Sequence, residues 1–320
     1  MGFQNNIGNK MKVVFFSESQ MVGKVDRLHP NCRNDLAWSI MMDADWCPYG
    51  KQPTDHYDLG VVTIPKTKPN LDIDSFRQHC DKIVVMQEGP HWYFQDYSVE
   101  QQFQFIENLR KADWVWCHNK SDVSYYEGLG CRDVRVMRTL MLPDGLPANG
   151  YSKDKEGIIL GGNFTSWYSG LDSYLISHAV NEPITNVSMG RKQPEEDMIP
   201  DIKYLPYMSW REWIQECGKY KVGIHMMRTH AAGTFSLNLS FHNSPCIGYK
   251  NLDTQDLLHP QTTVELGDIR GAKRILKRLY EDDSFYQECS EQTGELYNKY
   301  YSEEAWLKDF KKVNKEFKNG

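Results

Sequence analysis

The 320-residue sequence predicts an α/β protein with two doubly wound parallel sheets, and three observations support this prediction. Short runs of β-branched residues alternate with amphipathic segments, which is typical of parallel strands joined by helices. The alternation stops in a segment rich in Pro, Gly, Asn and Ser at residues 143–156, and then begins again. An apolar stripe near the C-terminus predicts one more helix, which needs an apolar surface to pack on.

The first half begins with a strand at residues 12–16, whose continuous apolar character indicates burial on both faces. A helix is predicted at 99–112, because Phe103, Ile106 and Leu109 recur at helical spacing. The other predicted elements of this half are strands at 59–64, 82–86, 113–117 and 134–137 and a short helix at 121–129.

The second half repeats the alternation without repeating the sequence, and we interpret both halves as Rossmann-like. Its predicted elements are strands at 157–160, 185–189, 202–205, 220–226 and 245–249, and helices at 171–180, 210–217 and 235–241. In the last predicted helix, apolar residues recur at Trp306, Phe310, Val313 and Phe317 after a start at Ser302. We expect this helix to cross back onto the first half. The predicted domains are therefore 1–150 together with 302–320, and 151–301.

Composition excludes several classes of protein. The 37 Lys and Arg against 43 Asp and Glu give a formal net charge of -6, so there is no general basic field for nucleic acid or anionic lipid. No apolar run is long enough for a membrane span, and the polar N-terminus has no secretory signal. The eight cysteines form no C-x-x-C pair, which argues against a zinc site and fits a reduced cytoplasmic protein. We expect no membrane partner, and a monomer or homodimer.

Two Rossmann-like halves with a linker and a returning helix resemble the GT-B glycosyltransferases, whose domains face each other across a cleft. A more specific resemblance, to family 4, lies in IPDIKYLPY (199–207) followed by WREWI (210–214), and in GTFSLNLSFHNSPCIG (233–248). The last of these is similar to the donor-binding helix and the strand after it. The family carries Glu, seven residues and Glu there, whereas this chain has His230 and Asn238.

The resemblance implies transfer of a hexose from a nucleotide-diphosphate sugar, with a UDP-sugar as the expected donor, to a hydroxyl group with retention of configuration. It implies no metal and no other cofactor. Compact GT-B chains of this kind also resemble bacteriophage enzymes, some of which modify hydroxymethylated pyrimidines, so double-stranded DNA carrying 5-hydroxymethylcytosine is the acceptor we expect. The alternatives are a soluble glycan or small-molecule acceptor, an epimerase, and a sugar-nucleotide-binding protein without turnover.

The donor site is predicted at loops that follow strands of the second half. The loop 230–234 leads into a helix, whose first N–H groups and dipole favour an anion such as a pyrophosphate. Cations in such loops would neutralise the departing diphosphate, although an Arg-Lys pair can also be simply solvated. The predicted donor-binding residues are Gly161, Gly162, Arg191, Lys192, Arg228, His230, Gly233, Thr234, Phe235 and Asn238.

Candidate catalytic residues follow the strand at 82–86. Glu88 and His91 could each accept a hydrogen bond from the acceptor hydroxyl, or Glu88 could cap its loop while His91 packs against Trp92. The predicted acceptor-binding residues are Arg33, Asp35, Trp92, Tyr93 and His118, with Lys51, Lys66, Lys68 and Lys120 as further phosphate contacts. The pairs Asp43/Asp45 and Asp72/Asp74 match the Asp-x-Asp pattern of metal-dependent transferases, but neither follows a convincing strand, and we predict no metal site.

Overall fold

The computed structural model describes residues 11–65, 71–87, 94, 97–165, 167–187 and 190–317, with Gln87 and the last four residues without their side chains. Contacts divide the chain into two units. Unit 1 consists of the chain up to Arg27 with Asp35–Cys117 and Asp122–Val136, and unit 2 of Leu28–Asn34, His118–Ser121 and Met137–Gly320. The division therefore follows Val136 rather than residue 150, and it places the last helix in unit 2.

The sheet of unit 1 has six strands among the described residues, all parallel, in the order β2-β1-β3-β4-β5-β6. The strands are β1 (Val13–Ser17), β2 (Asp45–Pro48), β3 (Tyr57–Ile64), β4 (Cys80–Gln87), β5 (Trp114–Cys117) and β6 (Val134–Val136). The helices are α1 (Asn34–Met41), α2 (Val99–Lys111) and α3 (Lys120–Gly128), with a 3-10 turn at Ile73–Phe76.

The apolar character of these strands and of α2 builds the core of unit 1. Every residue of β1 is buried, as expected for a strand covered on both faces. Helix α2 begins with a capping box between Ser98 and Gln101, which satisfies two otherwise unpaired N–H groups. Its Phe105 is fully buried and stacks on Phe94 at 5.0 Å.

Two elements of unit 1 were not predicted from the sequence. Helix α1 begins at Asn34, between the predicted acceptor residues Arg33 and Asp35, and β2 begins at Asp45, within a motif that we did not expect to adjoin a strand. Strand β2 is an edge strand beside β1, and its sequence DWCP contains no β-branched residue. A short edge strand of this composition carries little periodic signal.

The sheet of unit 2 also has six parallel strands in the described ranges, in the order β9-β8-β7-β10-β11-β12. Numbered from the first strand of the unit, this is the order 3-2-1-4-5-6 of a dinucleotide-binding fold. The strands are β7 (Glu156–Gly161), β8 (Ile184–Val187), β9 (Ile202–Tyr204), β10 (Tyr220–His225), β11 (Cys246–Tyr249) and β12 (Thr263–Val264).

Seven helices accompany this sheet among the residues that the structure describes. They are α4 (Gly170–Ser177), α5 (Trp210–Cys217), α6 (Thr234–Phe241), α7 (Asp253–Leu258), α8 (Ile269–Glu281), α9 (Asp283–Tyr300) and α10 (Glu303–Phe317), with 3-10 turns at Pro194–Met198 and Pro260–Thr262. The helices α7, α8 and α9 and the strand β12 have no counterpart among the sequence predictions. None of the described helices has the length and apolar character needed to span a lipid bilayer.

The predicted C-terminal helix is present as α10. Trp306 is buried and stacks on Phe310 at 5.2 Å, while its indole N–H donates to the carbonyl of Arg138. The Arg138 side chain in turn pairs with Asp309 at 2.7 Å. Arg138 precedes the predicted linker, so the helix does reach back along the chain, but the contacts assign both partners to unit 2.

Candidate functional site

The candidate site lies at the carboxyl edge of the unit 2 sheet. In the order β9-β8-β7-β10-β11-β12, the direction of winding reverses between β7 and β10, and ligands of doubly wound sheets bind where this reversal occurs. Strand β7 ends at Gly161 and β10 ends at His225, which lies beside Gly161 in the register that pairs Ile224 with Leu160. The loops after these strands lead into α4 and α6.

Gly161 and Gly162, both predicted donor residues, allow aromatic rings to pack directly on the backbone. A Cβ atom at Gly161 would lie 2.8 Å from the His225 ring and 2.9 Å from Phe235. Gly162 has a φ of +77°, and a Cβ there would lie 2.8 Å from Tyr168. Any larger residue would therefore displace one of these rings.

Hydrogen bonds join the loops that follow β7 and β10. The carboxylate of Asp172 in α4 accepts from Arg228 at 2.7 Å and from the Tyr249 hydroxyl at 2.9 Å. The hydroxyl of Ser173 accepts from the backbone N–H of Met226 at 3.1 Å. The hydrogen bond with Asp172 raises the pKa of Arg228. Because the Arg228 side chain remains about half exposed, its other N–H groups can still reach a ligand.

The neighbouring cations Arg191 and Lys192 have different surroundings. Arg191 donates to the Tyr168 hydroxyl at 2.6 Å, and its carbonyl accepts from the buried Asn163. Lys192 pairs with Asp197 and lies 4.3 Å from the centre of the Tyr204 ring. In the described part of the chain Arg191 has no acidic partner. The structure thus brings Arg191 to the loop after β7 and directs Lys192 elsewhere.

The loop before α6 is held by hydrogen bonds to its carbonyls. Gly233 is the N-cap of α6 with a φ of +66°, and a Cβ there would lie 1.9 Å from the Thr254 hydroxyl. The carbonyl of Ala231 accepts from the Asn119 amide at 2.9 Å, and that of Ala232 accepts from the Thr139 hydroxyl at 2.5 Å. With its carbonyls held in this way, the loop leads into a helix whose first N–H groups have no carbonyl partner within the helix.

Predicted residues further along this segment differ in accessibility. Thr234 is partly exposed at the first position of α6, and Phe235 is buried against His225 at 5.0 Å between ring centres. His230 lies with its Nδ1 3.2 Å from the Ser121 hydroxyl. Asn238 is 2% exposed, and its side-chain oxygen accepts from the Trp210 indole at 3.3 Å. The predicted role of Asn238 in donor binding is therefore not supported, because the side chain is enclosed between α5 and α6.

Sequence reasoning missed three polar residues of these loops. His225 is 7% exposed, and neither of its ring nitrogens has a hydrogen-bond partner among the described residues. The hydroxyls of Ser169, just before α4, and Thr229, after β10, are also buried without a partner. Burial lowers the pKa of His225 from 6.5 to about 4, so the ring is neutral near pH 7. The signal available in the sequence was a histidine at the end of an apolar strand.

The predicted catalytic and acceptor residues are only partly visible. Glu88, His91, Trp92 and Tyr93 lie outside the described residues, as do Lys66 and Lys68. In unit 2, Arg33 forms a β-bridge with Met141, and His118 lies 3.3 Å from the Thr139 hydroxyl. Asp35 belongs to unit 1, at the start of α1, where its carboxylate accepts from the N–H of Leu36. Arg33 and His118 therefore both lie against the segment 139–141.

The acidic pairs set aside in the sequence have local roles. Asp43 and Asp45 both pair with Lys24, and Asp45 also accepts from the Tyr57 hydroxyl. Asp72 caps a 3-10 turn, in which Asp74 pairs with Lys111 at 2.7 Å. Within the described ranges, no three His, Cys, Asp or Glu side chains are grouped so that they could hold a metal ion.

No family model matches the sequence, and none of the curated proteins matches it. Several solved structures share the fold. HepE from Anabaena in complex with UDP-glucose has a TM-score of 0.67 at 10% identity, over 96% of this chain and 100% of that chain. Sucrose-phosphate synthase from Thermosynechococcus elongatus has a TM-score of 0.61 at 12% identity, over 81% and 73%. The pneumococcal O-GlcNAc transferase GtfA, in complex with UDP and GlcNAc, has a TM-score of 0.60 at 10% identity, over 82% and 57%.

These similar structures are glycosyltransferases of the GT-B class. At identities of 10–12% the likeness concerns the fold alone. The two parallel six-stranded sheets with their helices match it, so the α/β class predicted from the sequence is confirmed, and the fold of this chain is GT-B.

Proposed function

We propose that this protein is a glycosyltransferase that moves a hexose from a nucleotide-diphosphate sugar, preferably a UDP-sugar, to a hydroxyl group. The main observation in its support is the site where the direction of winding reverses between β7 and β10. Two glycines, two linked loops and the N-terminus of α6 converge there, as a phosphate-binding crevice requires. The structures of HepE, in complex with UDP-glucose, and of GtfA, in complex with UDP and GlcNAc, support a uridine nucleotide at the equivalent edge.

In this proposal the departing diphosphate is stabilised by the chain's own groups. Negative charge develops on the leaving phosphate as the glycosidic bond breaks, and preorganised donors lower the barrier most where that charge appears. Arg191 and Arg228 stand on different loops of the crevice, and the first-turn N–H groups of α6 add a positive dipole end. A front-side transfer with retention, assisted by the leaving phosphate, needs no strong nucleophile and no metal.

A second candidate is a protein that binds nucleotide sugars without turnover. The specific observation in its favour is that both glutamates of the resembled family are replaced, and that Asn238 is buried against Trp210. The two functions differ in slow hydrolysis, because a transferase without its acceptor still hydrolyses its donor to some extent, whereas a binding protein returns it intact.

For the acceptor we propose 5-hydroxymethylcytosine in duplex DNA. The base would flip out of the helix at a cost of a few kcal/mol. Phosphate contacts would come from cations such as the exposed Lys51 and Lys120. Digesting treated DNA and weighing the nucleosides tests this directly: a hexose added to the modified nucleoside alone supports it. Transfer to a free sugar, with DNA unchanged, contradicts it in favour of a soluble acceptor.

The donor site is tested with a pair of adjacent substitutions. Arg191→Gln removes the cation beside Tyr168, and Lys192→Gln removes one that already pairs with Asp197. We expect Arg191→Gln to weaken UDP binding about 10-fold, the value of one charge-assisted hydrogen bond. Lys192→Gln serves as the matched control and should bind UDP as the unaltered protein does. Equal affinities for all three proteins would contradict the proposed site, and failure of the unaltered protein to bind any nucleotide sugar would contradict the function.

A further inference from the structure

Three histidines of unit 2 are buried, and two of them have complete hydrogen bonding. His242 accepts from the backbone N–H of Asn149 at 3.1 Å and donates from Nε2 to the carbonyl of Ile214. His259 accepts from the N–H of Cys246 at 3.2 Å and donates to the carbonyl of Ser236 at 3.0 Å. His225 is buried to a similar degree, yet both its ring nitrogens lack a partner in the described structure.

This difference requires an explanation, because a buried donor or acceptor without a partner lowers stability. In an apolar interior, an unpaired histidine lowers the stability of the folded chain more than an apolar residue of similar shape does. His242 and His259 show that this unit pairs its structural histidines at both nitrogens. The partner of His225 is therefore expected to be a group that binds from outside the chain.

Packing fixes the plane of the His225 ring. The Tyr168 ring lies nearly parallel to it, with centres 6.3 Å apart, and the Phe235 ring lies at 5.0 Å with a tilt of 59°. Its neighbours on both adjoining strands, Gly161 and Gly248, have no side chains. The imidazole is thus held in one orientation by apolar contacts alone, and its two buried nitrogens have no partner among the described residues.

The surroundings of His225 favour an anionic ligand. The ring stands between the loop that leads to α4 and the loop that leads to α6. The loop after β10 carries Arg228, and Tyr168 on the loop after β7 binds Arg191. Ser169 and Thr229 add one buried hydroxyl without a partner to each loop. Hydroxyls, guanidinium groups and a neutral imidazole N–H can all donate to phosphate oxygens.

We propose that His225 binds the diphosphate of the donor, with the N–H of its neutral imidazole donating to a phosphate oxygen. The inference rests on the proposed function and deepens it, since it names a contact that the predicted donor residues did not include. His225 would orient the diphosphate between Arg191 and Arg228 as a positioning residue.

The test compares His225→Phe with His242→Phe by calorimetric titration with UDP and with UDP-glucose. Phenylalanine preserves the ring between Tyr168 and Phe235 but removes the N–H group. We expect His225→Phe to weaken both nucleotides about 10- to 100-fold, and His225→Gln, which retains an N–H donor, to recover part of the loss. His242→Phe removes a buried histidine that is already paired, so its folded form should bind both nucleotides within about twofold of the unaltered protein.

The outcomes separate this inference from the proposed function. If the unaltered protein binds neither nucleotide, the proposed function fails and the inference fails with it. If the unaltered protein binds and His225→Phe binds equally well, only the inference is overturned. A loss restricted to UDP-glucose would overturn the diphosphate assignment. If His225→Phe does not fold, the ring nitrogen shifts of His225 in the labelled, unaltered protein decide: a shift on adding UDP supports the contact, and unchanged shifts overturn it.

Discussion

Acid should destabilise unit 2 through its three buried histidines, and the size of the effect follows from their surroundings. Burial lowers the pKa of His225, His242 and His259 from 6.5 to about 4. Between these values the unfolded chain binds protons that the folded chain excludes. The stabilisation is therefore complete above pH 6.5 and is lost as the pH falls towards 4.

Each histidine should lower the free energy of unfolding by about 2 kcal/mol between pH 8 and pH 5, from the shift in its pKa. Three independent groups would together remove about 6 kcal/mol, which is comparable to the total stability of many domains. The effect of carboxylates that titrate in the same range is common to the protein and its variants. The difference between variants therefore isolates the histidines.

The assay is urea unfolding at pH 5 and pH 8 for the unaltered protein, His225→Phe and His242→Phe. Each substitution should reduce the loss of unfolding free energy between pH 8 and pH 5 by about 2 kcal/mol. At pH 8 the variants should diverge. His225→Phe loses no hydrogen bond and should be at least as stable as the unaltered protein, whereas His242→Phe removes the hydrogen bonds with Asn149 and Ile214 and should lose about 2 kcal/mol.

The reasoning would be refuted if His225→Phe and the unaltered protein lost the same free energy of unfolding between pH 8 and pH 5. It would mean that the ring of His225 is protonated as easily in the folded chain as in the unfolded one. A clear loss of stability in His225→Phe at pH 8 would refute the expectation that this variant loses no hydrogen bond. It would show that the ring nitrogens are already paired without a ligand.

The remaining predictions concern packing, a buried lysine, metal and salt. Gly233→Ala should lower the free energy of unfolding, measured with heat or urea, by about 2 to 4 kcal/mol, because the new Cβ meets Thr254. Gly267→Ala, with a φ of +85° but open space around it, should lower it by only about 1 kcal/mol. Equal losses in the two variants would contradict the clash. Burial lowers the pKa of Lys155 from 10.5 to about 8. Between these values the unfolded chain binds a proton that the folded chain does not, so the free energy of unfolding should rise by about 3 kcal/mol from pH 8 to pH 10.5. Lys155→Met should abolish this rise, and an unchanged rise would exclude Lys155 as its source. Glycosyl transfer should continue in EDTA, and a strict requirement for Mg²⁺ or Mn²⁺ would contradict the metal-free proposal. If DNA is the acceptor, the logarithm of its affinity should fall with the logarithm of salt at a slope near the number of phosphates contacted, and a salt-independent affinity would argue for a small acceptor.

The sequence was sufficient for most strands because they are buried on both faces. Apolar, β-branched runs such as those of β3, β4 and β7 indicate buried strands. The observed strands extend beyond the predicted bounds by only one or two residues at an end. One helix with a polar cap was equally clear. Helix α5 begins at Ser209 with a capping box to Glu212 and spans the residues predicted for it.

Other elements depend on contacts that a linear pattern does not contain. Helix α1 begins at Asn34 with a left-handed backbone, φ 53°. Helix α8, by contrast, carries Ile269, Leu276 and Leu279 at helical spacing, and this face packs on the core of unit 2, so its pattern was present in the sequence and was missed. The predictions for 251–301 were therefore incomplete.

For the candidate site, glycines and cations could be chosen from the sequence, but their orientations could not. Arg191 and Lys192 are adjacent and chemically similar, yet one reaches Tyr168 and the other Asp197. His225 could not be distinguished from His242 or His259 by sequence, since all three follow or end apolar segments. Only the hydrogen-bond partners separate them, and these come from residues distant along the chain, such as Asn149 for His242.

The asparagine at position 238, where the resembled family has glutamate, agrees with the packing of α6. A glutamate in place of Asn238 would bury a charge beside Trp210, in a helix whose residues Phe235 to Ser240 are all buried. Asn238 instead accepts one hydrogen bond and closes the contact between α5 and α6. If this chain binds a nucleotide sugar, the binding must then depend on the loops after β7 and β10, where Arg191, Arg228 and His225 stand, rather than on carboxylates of the helix. A donor site of this kind would hold the diphosphate firmly and discriminate weakly among sugars, because neither glutamate of the resembled family has a counterpart in it.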